Sequence, residues 1–206
     1  MYDDEFELTF DLSDEDKASR APEPEQEPVQ EAAPEPAAET AAETEPPVEA
    51  VPEPAVPAAN GRCVLISGGD RGIGAAAARA FWQAGYRVAV LYHTHAEAAA
   101  ALEKALPGLL AVQCDVASRA SCEVAFHTVE QAVGHVDVLV SNAGIAQQKL
   151  FTDITPEEWQ HMLDVNLSGA FYLCQLALPG MIRRKAGRIL TVSSMWGQTG
   201  GSCEVH

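Results

Sequence analysis

The stretch Cys63-Val64-Leu65-Ile66-Ser67-Gly68-Gly69-Asp70-Arg71-Gly72-Ile73-Gly74, with the alanine-rich run behind it, decides the fold. Cys63–Ser67 is a short apolar run ending in glycines, the pattern of a buried strand. The alanine-rich segment predicts a helix over Gly72–Ala84, and Gly85 stands where a helix C-terminal glycine belongs. Between strand and helix, glycines 68, 72 and 74 permit a tight turn, a close backbone approach to a diphosphate and close helix–strand packing. The helix N-terminus offers free N–H groups to the same anion. A glycine pattern alone is a weak signal; its place between a first strand and a first helix gives it meaning.

Outward from this loop the alternation continues. Arg87–Tyr92 reads as a second strand, Ala96–Leu106 as a helix stopped by Pro107-Gly108, and Leu109–Cys114 as a third strand. Ser118 can cap a helix running to about Val133, and Val136–Ser141 is a fourth strand. Thr155-Pro156-Glu157-Glu158 starts a helix that is expected to bend near Asn166 and continue to about Lys185, before a fifth strand over Arg188–Ser193. Strands apolar on both faces, separated by helices, imply a parallel sheet covered on both sides. The expected class is a doubly wound α/β domain of residues 61–206.

Residues 1–60 are a different polymer. They hold 18 of the 30 acidic residues, 2 of the 13 Lys+Arg and 10 of the 13 prolines, a formal charge of −16 against −1 for the remainder. So little apolar surface cannot offset ordering entropy, and residues 1–60 are expected to be a disordered acidic tail rich in Pro, Glu and Ala. Residues 1–16 alternate acid and hydrophobe, which reads either as a short recognition peptide or as a solvated terminus. No basic footprint exists for nucleic acid or anionic membranes. The acidic residues after Met1 predict no secretory signal, and there is no uninterrupted apolar run of ~18 residues. Five cysteines without CxxC spacing fit neither a disulfide framework nor a zinc site, which points to reduced thiols and a cytoplasmic protein. His93 and His95 have the spacing of a metal pair, but nothing else supplies ligands, and no metal is expected.

From the glycine loop onward the sequence resembles the short-chain dehydrogenase/reductase family, whose fold is the Rossmann type. The family signature Thr-Gly-x-x-x-Gly-x-Gly is met with Ser67 for Thr. Asp115-Val116, Asn142-Ala143-Gly144, Asn166 in Asp164-Val165-Asn166, and Ser193-Ser194 follow in register with the expected elements. The resemblance implies that Ser67, Gly68, Asp70, Arg71, Gly72, Ile73 and Gly74 form the cofactor loop. It implies that Asp115 accepts a hydrogen bond from the adenine amino group with Val116 alongside the base, and that Asn142, Ala143 and Gly144 line the adenosine ribose and brace the sheet. Asp115 also reads as a helix-capping loop acid.

Cofactor choice depends on charge near the ribose. The second strand ends Leu91-Tyr92-His93-Thr94 without the acid that would bind ribose hydroxyls. Arg71 resembles the basic residue that pairs with a 2′-phosphate, with His93 beside it, so NADP(H) is favoured over NAD(H); a solvated loop charge is the other reading of Arg71. The resemblance also assigns Ser194 to the substrate carbonyl and Asn166 to a proton relay, since hydride transfer leaves charge on oxygen that donors must stabilise. The family's tyrosine and the lysine four residues beyond it are missing: no Tyr-x-x-x-Lys occurs after Met195.

The expectation is therefore an NADPH-dependent carbonyl reductase present as an inactive fragment, cut before the tyrosine and incomplete at its C-terminal sheet edge, and a homo-oligomer when complete. Its resemblance lies toward 3-oxoacyl-acyl-carrier-protein reductases and elongation factor P 5-aminopentanone reductases, with a small-molecule or carrier-linked ketone as substrate. Arg183, Arg184, Lys185 and Arg188 either dock an acidic carrier or complement a helix C-terminus. The competing reading is a non-catalytic dinucleotide-binding sensor or scaffold with an acidic interaction tail.

Overall fold

The computed structural model of the protein describes residues 58–203. The expected tail, apart from residues 58–60, and the acid–hydrophobe segment 1–16 lie outside the described residues. Strands and helices alternate: β1 (Cys63–Ser67), α1 (Gly72–Gln83), β2 (Arg87–Tyr92), α2 (Ala96–Ala105), β3 (Leu110–Gln113), α3 (Arg119–Val133) and β4 (Val138–Ser141). A 3-10 turn at Phe151–Asp153 precedes α4 (Pro156–Leu163), a π-helical turn (Asp164–Ser168) and α5 (Gly169–Arg184), followed by β5 (Arg188–Thr191) and a four-residue α6 (Trp196–Thr199).

The five strands form one parallel sheet in the order β3-β2-β1-β4-β5. This is the doubly wound Rossmann arrangement, with the chain reversing direction across the sheet after β3. Period-two alternation sorts the strand residues between two cores. Leu65, Ala89, Leu91 and Leu139 point to one face, against Cys122 and Val129 of α3 and Leu173 and Ala177 of α5. Val64, Ile66, Val88, Val90, Val138 and Val140 point to the other, against Ala75, Ala78 and Trp82 of α1 and Leu102 of α2. Each fully buried Val, Leu or Ile contributes roughly 1.5–3 kcal/mol, which is why these strands carry almost no polar residues. β5 differs: it pairs with β4, and Leu190 remains 43% exposed.

The helix termini follow local chemistry. Ser118 accepts from the Ser121 N–H at the start of α3. Thr155 and Glu158 form a reciprocal capping box, with Pro156 at the first helical position. Gly85 turns the chain out of α1 at φ +79, and its carbonyl accepts from the Asn60 N–H while the Asn60 amide donates to the Ala84 carbonyl.

The bend expected near Asn166 is the π-helical turn. Strand limits are tighter than expected for β3, β4 and β5, although ladder bonds run one residue past them: the N–H groups of Cys114, Asp137 and Val192 donate to the carbonyls of Tyr92, Cys63 and Ser141. The run Pro156–Arg184 is, by length and composition, long and apolar enough to cross a membrane, although its apolar residues are interrupted by polar ones. Here its apolar stripe, Leu173, Ala177 and Met181, is buried against the sheet.

Candidate active site

The phosphate loop is held open by its contact with the end of β4. Asn142 sends its amide across the sheet, donating from Nδ2 to the Ser67 carbonyl at 3.0 Å and the Gly68 carbonyl at 2.9 Å. In return the Ser67 hydroxyl accepts from the backbone N–H groups of Asn142 and Ala143, both at 3.0 Å. Ser67 is 1% exposed, so its hydroxyl faces this knot, away from the cleft. A serine serves because the knot needs an acceptor oxygen and has no need of the methyl of threonine. Gly74 is fixed by the same packing: a Cβ there would lie 2.1 Å from the Gly68 carbonyl oxygen and 2.7 Å from Asn142 Nδ2. Gly68 has φ +61 and packs on Ala143, whereas Gly72 has φ +52 and faces open space. The loop therefore offers bare backbone at Gly72, just where α1 begins, and the first turn of α1 carries no acidic residue to repel an anion. These features fit a dinucleotide diphosphate.

Above the loop is a cleft of about 410 Å3. Gly68, Asp70, Arg71, Gly72 and Ile73 line one wall, Tyr92, His93, Thr94 and His95 the next, and Asp115, Val116, Asn142, Ala143 and Gly144 the floor and far side. Every expected cofactor residue except Ser67 and Gly74 thus faces one space, and those two brace its wall. Arg71 is exposed, and its guanidinium makes no hydrogen bond or ion pair among the described residues. Asp115 spends one carboxylate oxygen on the Ala117 N–H, at 3.0 Å, and its own N–H donates to Ser121 Oγ. It is a loop-forming acid that also faces the cleft, while the cap of α3 is Ser118. Cys114 lines the cleft, and its thiol beside Cys122, followed by burial, pushes the Cys122 thiol far up.

A second cleft, about 620 Å3, adjoins the first, and Ile145 lines both. It brings Asn166, Ser193 and Ser194 together with Gln147 and Trp196. The Ser194 hydroxyl accepts from the Trp196 N–H at 3.2 Å, which starts α6, an element sequence patterning did not reveal because four residues carry no period. Asn166 projects from the π-helical turn and clamps Ile145 at two points: its Oδ1 accepts from the Ile145 N–H at 2.8 Å and its Nδ2 donates to the Ile145 carbonyl at 3.0 Å. The side-chain amide is thus committed to the backbone between the clefts.

The rim of the second cleft is tied down by Glu158. Its carboxylate takes the Lys149 ammonium at 2.7 Å, the Thr155 N–H at 2.8 Å and the Gln147 amide at 2.9 Å. The Lys149 contact first, and then the Thr155 N–H, hold its carboxyl well below the usual range, at about 2. The Lys149 N–H donates to the Cys203 carbonyl, closing the segment after α6 over this rim.

Sequence reading missed Ile145 and the part played by His95. Ile145 gives no signal beyond following Asn142-Ala143-Gly144. His95 pairs with Asp70, its Nδ1 3.4 Å from Oδ2, across 25 positions that no local pattern connects. Among the described residues no group of three or more His, Cys, Asp or Glu side chains gathers as metal ligands. Of the basic cluster, Arg184 donates to the Val136 carbonyl at 2.8 Å and Lys185 ends α5 in the left-handed conformation, φ 53.

The arrangement has close relatives. A family model described as short chain dehydrogenase matches residues 62–206. The acetoacetyl-CoA reductase of Shinella zoogloeoides is 40% identical over 139 residues, covering 68% of this chain and 57% of the relative. The acetoacetyl-CoA reductase of Rhizobium meliloti (strain 1021) is 40% identical over 145 residues, covering 70% and 60%. The 3-oxoacyl-[acyl-carrier-protein] reductase MabA of Mycobacterium avium is 38% identical over 157 residues, covering 75% and 58%. The matched stretch spans between half and two thirds of each relative. With a parallel sheet of this order, a braced glycine loop and a family match running from β1 to the last residue, the chain belongs to the short-chain dehydrogenase family.

Proposed function

We propose that the protein is the cofactor-binding part of an NADPH-dependent carbonyl reductase that acts on a ketone of an acyl chain linked to coenzyme A or to a carrier protein. The observation that carries this reading is the continuity of the two clefts at Ile145. A dinucleotide held with its diphosphate at Gly72 would have the second cleft, with Ser194 and Asn166, beyond Ile145. The names of the relatives support the substrate class, since they are reductases of 3-oxoacyl groups on coenzyme A or acyl-carrier protein.

When bound, the nicotinamide supplies hydride. The chain's own residues hold and orient. Backbone N–H groups at Gly72 and the α1 N-terminus would take the diphosphate, Arg71 and His93 the 2′-phosphate, and Asp115 and Val116 the adenine. The Ser194 hydroxyl donates to the substrate carbonyl oxygen, where charge accumulates. Asn166 fixes Ile145 and with it the partition between cofactor and substrate, so its side chain serves the relay by position. A Tyr-x-x-x-Lys pair, absent after Met195, is needed to deliver the proton. The 206 residues alone should therefore bind cofactor without turning substrate over.

The whole reductase is proposed to be cytoplasmic, which suits the five free cysteines, and homo-oligomeric, which suits the exposed Phe171, Leu178 and Ile182 along α5. Fluorescence titration of this chain with NADPH and NADH tests the reading. The expected result is NADPH bound at least about tenfold more tightly, the value of one charge-assisted phosphate contact; equal affinities, or a preference for NADH, overturn it.

A further inference from the structure

Of the polar side chains in the second cleft, Asn166 is committed to Ile145, and Ser194 stands at the start of α6. Gln147 lines the same cleft and has no task in the reading above. Its orientation is decided by its neighbours. Nε2 donates to Glu158 Oε1 at 2.9 Å, and the same carboxylate takes the Lys149 ammonium at 2.9 and 2.7 Å and the Thr155 N–H at 2.8 Å. Lys149 first, and then the Thr155 N–H, hold that carboxyl down at about 2, so it is ionised throughout the neutral range. An ionised carboxylate only accepts, which obliges the amide to turn its NH2 toward Glu158. Glu158 does not line the cleft, and Gln147 does. The other end of the amide, Oε1, accepts no hydrogen bond among the described residues and is the end left for the cleft. An unrestrained glutamine offers a donor or an acceptor; this one is held as an acceptor.

The geometry points to Gln147 as a specificity residue whose side-chain carbonyl accepts from an N–H group of the substrate, with Glu158 and Lys149 as positioning residues behind it. The inference rests on the reading of the substrate as a ketone on a thioester-linked acyl chain and names the part of that substrate which is recognised. Coenzyme A and an acyl-carrier protein hold the chain through the same pantetheine arm, and that arm carries an amide N–H just past the thioester sulfur. The rest of the wall suits the acyl part, with apolar Ile145, Ala146 and Trp196 and bare backbone at Gly197, Gly200 and Gly201. A ligand that fills the cleft without an N–H strips water from Oε1 and gives nothing back, so a fixed acceptor discriminates more sharply than an apolar contact does. Glu158 makes the choice one-sided: with the NH2 already spent, a ligand carbonyl gains nothing at Gln147.

The test is a cycle of ligands against variants on the 206-residue chain. The probes are the S-acetoacetyl thioester of N-acetylcysteamine, which carries that amide N–H, and its N-methyl counterpart, which has lost it. Titrations followed by NMR give both affinities for wild type, Gln147→Met and Glu158→Gln. In wild type the N–H probe should bind about fivefold more tightly than the N-methyl probe, the worth of one neutral hydrogen bond. Gln147→Met keeps the length of the side chain without its acceptor, and the ratio should fall to about one. Glu158→Gln frees the Gln147 amide to turn, because the new amide both donates and accepts, and the ratio should fall to about two. NADPH affinity should stay within about twofold in Gln147→Met, since that residue does not line the cofactor cleft. The Gln147 side-chain NH2 resonances of the wild type add a readout that needs no variant: they should shift further with the N–H probe, and equal shifts refute the contact. A preference that survives Gln147→Met, or two probes that bind wild type equally, overturns the inference alone, as does a parallel loss of NADPH and both probes in Gln147→Met, which would make the residue merely structural. A ratio unchanged in Glu158→Gln refutes the positioning role. Binding of neither probe to the wild type overturns the thioester reading and the inference built on it.

Discussion

Alanine at position 74 should unfasten the phosphate loop. The added methyl would sit 2.1 Å from the Gly68 carbonyl oxygen and 2.7 Å from Asn142 Nδ2. The first of these is backbone in a turn at positive φ, so relief requires the loop to retreat by about 1 Å to reach ordinary contact distance. That retreat breaks the Asn142 amide bonds to the Ser67 and Gly68 carbonyls. Two such bonds are worth about 1 kcal/mol each, and overpacking a tight site adds about 1–3 kcal/mol. Against this, alanine gains roughly 1 kcal/mol over glycine inside a helix. The net is a loss of about 2–4 kcal/mol, or a fall in Tm of about 10 °C for a domain of this size. Thermal unfolding by circular dichroism and NADPH titration by fluorescence measure the two consequences, stability and cofactor affinity, and both should drop. Gly72→Ala is the comparison. It has no atom within 4 Å and only its φ of +52 to oppose it, so it should cost about 1–2 kcal/mol, the usual penalty of a left-handed residue. If Gly74→Ala melts with the wild type and binds NADPH normally, the account of the knot between β1 and β4 is wrong.

Three further effects follow from the site, and a fourth needs a chain that carries the family's tyrosine and lysine. Asn166→Ala removes both bonds to Ile145 and should expose that amide, lowering its protection in hydrogen exchange by about 1–3 kcal/mol with little change in β4. Arg71→Ala should weaken NADPH by about 1–3 kcal/mol and leave NADH unchanged; parallel losses in the titrations would return Arg71 to a solvated loop charge. Glu158 is held at about 2 against an ordinary value of 4.5, so its folded-state pKa is depressed and its stabilising share is complete above about pH 4.5 and is lost as the pH falls toward 2. Urea unfolding at pH 6, 4 and 3 should show that decline in wild type and a shallower one in Glu158→Gln. In a form completed with the family's tyrosine–lysine segment, Ser194→Ala should cut kcat by about 10²–10³ with cofactor affinity intact.

The fold was legible because its signals were local and repeated. Apolar pairs such as Val64 and Leu65, buried on opposite faces, could only belong to a strand covered on both sides, and Thr155-Pro156-Glu157-Glu158 announced a helix start by chemistry that needs four residues. The glycine loop was legible for the same reason. What escaped were relations between distant positions. Nothing at Ser67 says that its hydroxyl turns toward Asn142, 75 residues on, and nothing at Asp70 says that its carboxylate ends beside His95. The bend near Asn166 was foreseen, but its form was not: an extra residue in a helical turn leaves the hydrophobic period nearly intact, so composition cannot distinguish it from a kink.

That turn carries a constraint of its own. A π-helical turn holds one residue more than an α-helix needs, and each residue of an α-helix advances the azimuth by about 100°. Deleting one residue between 164 and 168 would remove that surplus and let the turn close as ordinary α-helix, with α5 still in phase with α4 but the side chains of the turn re-aimed. Leu173, Ala177 and Met181 would then stay in the sheet's core while Asn166 would swing away from Ile145. Substitution along this helix is graded in its effect, but miscounting is not. The quantity this segment preserves is a whole number, which makes the partition between the two clefts a matter of phase as much as of chemistry.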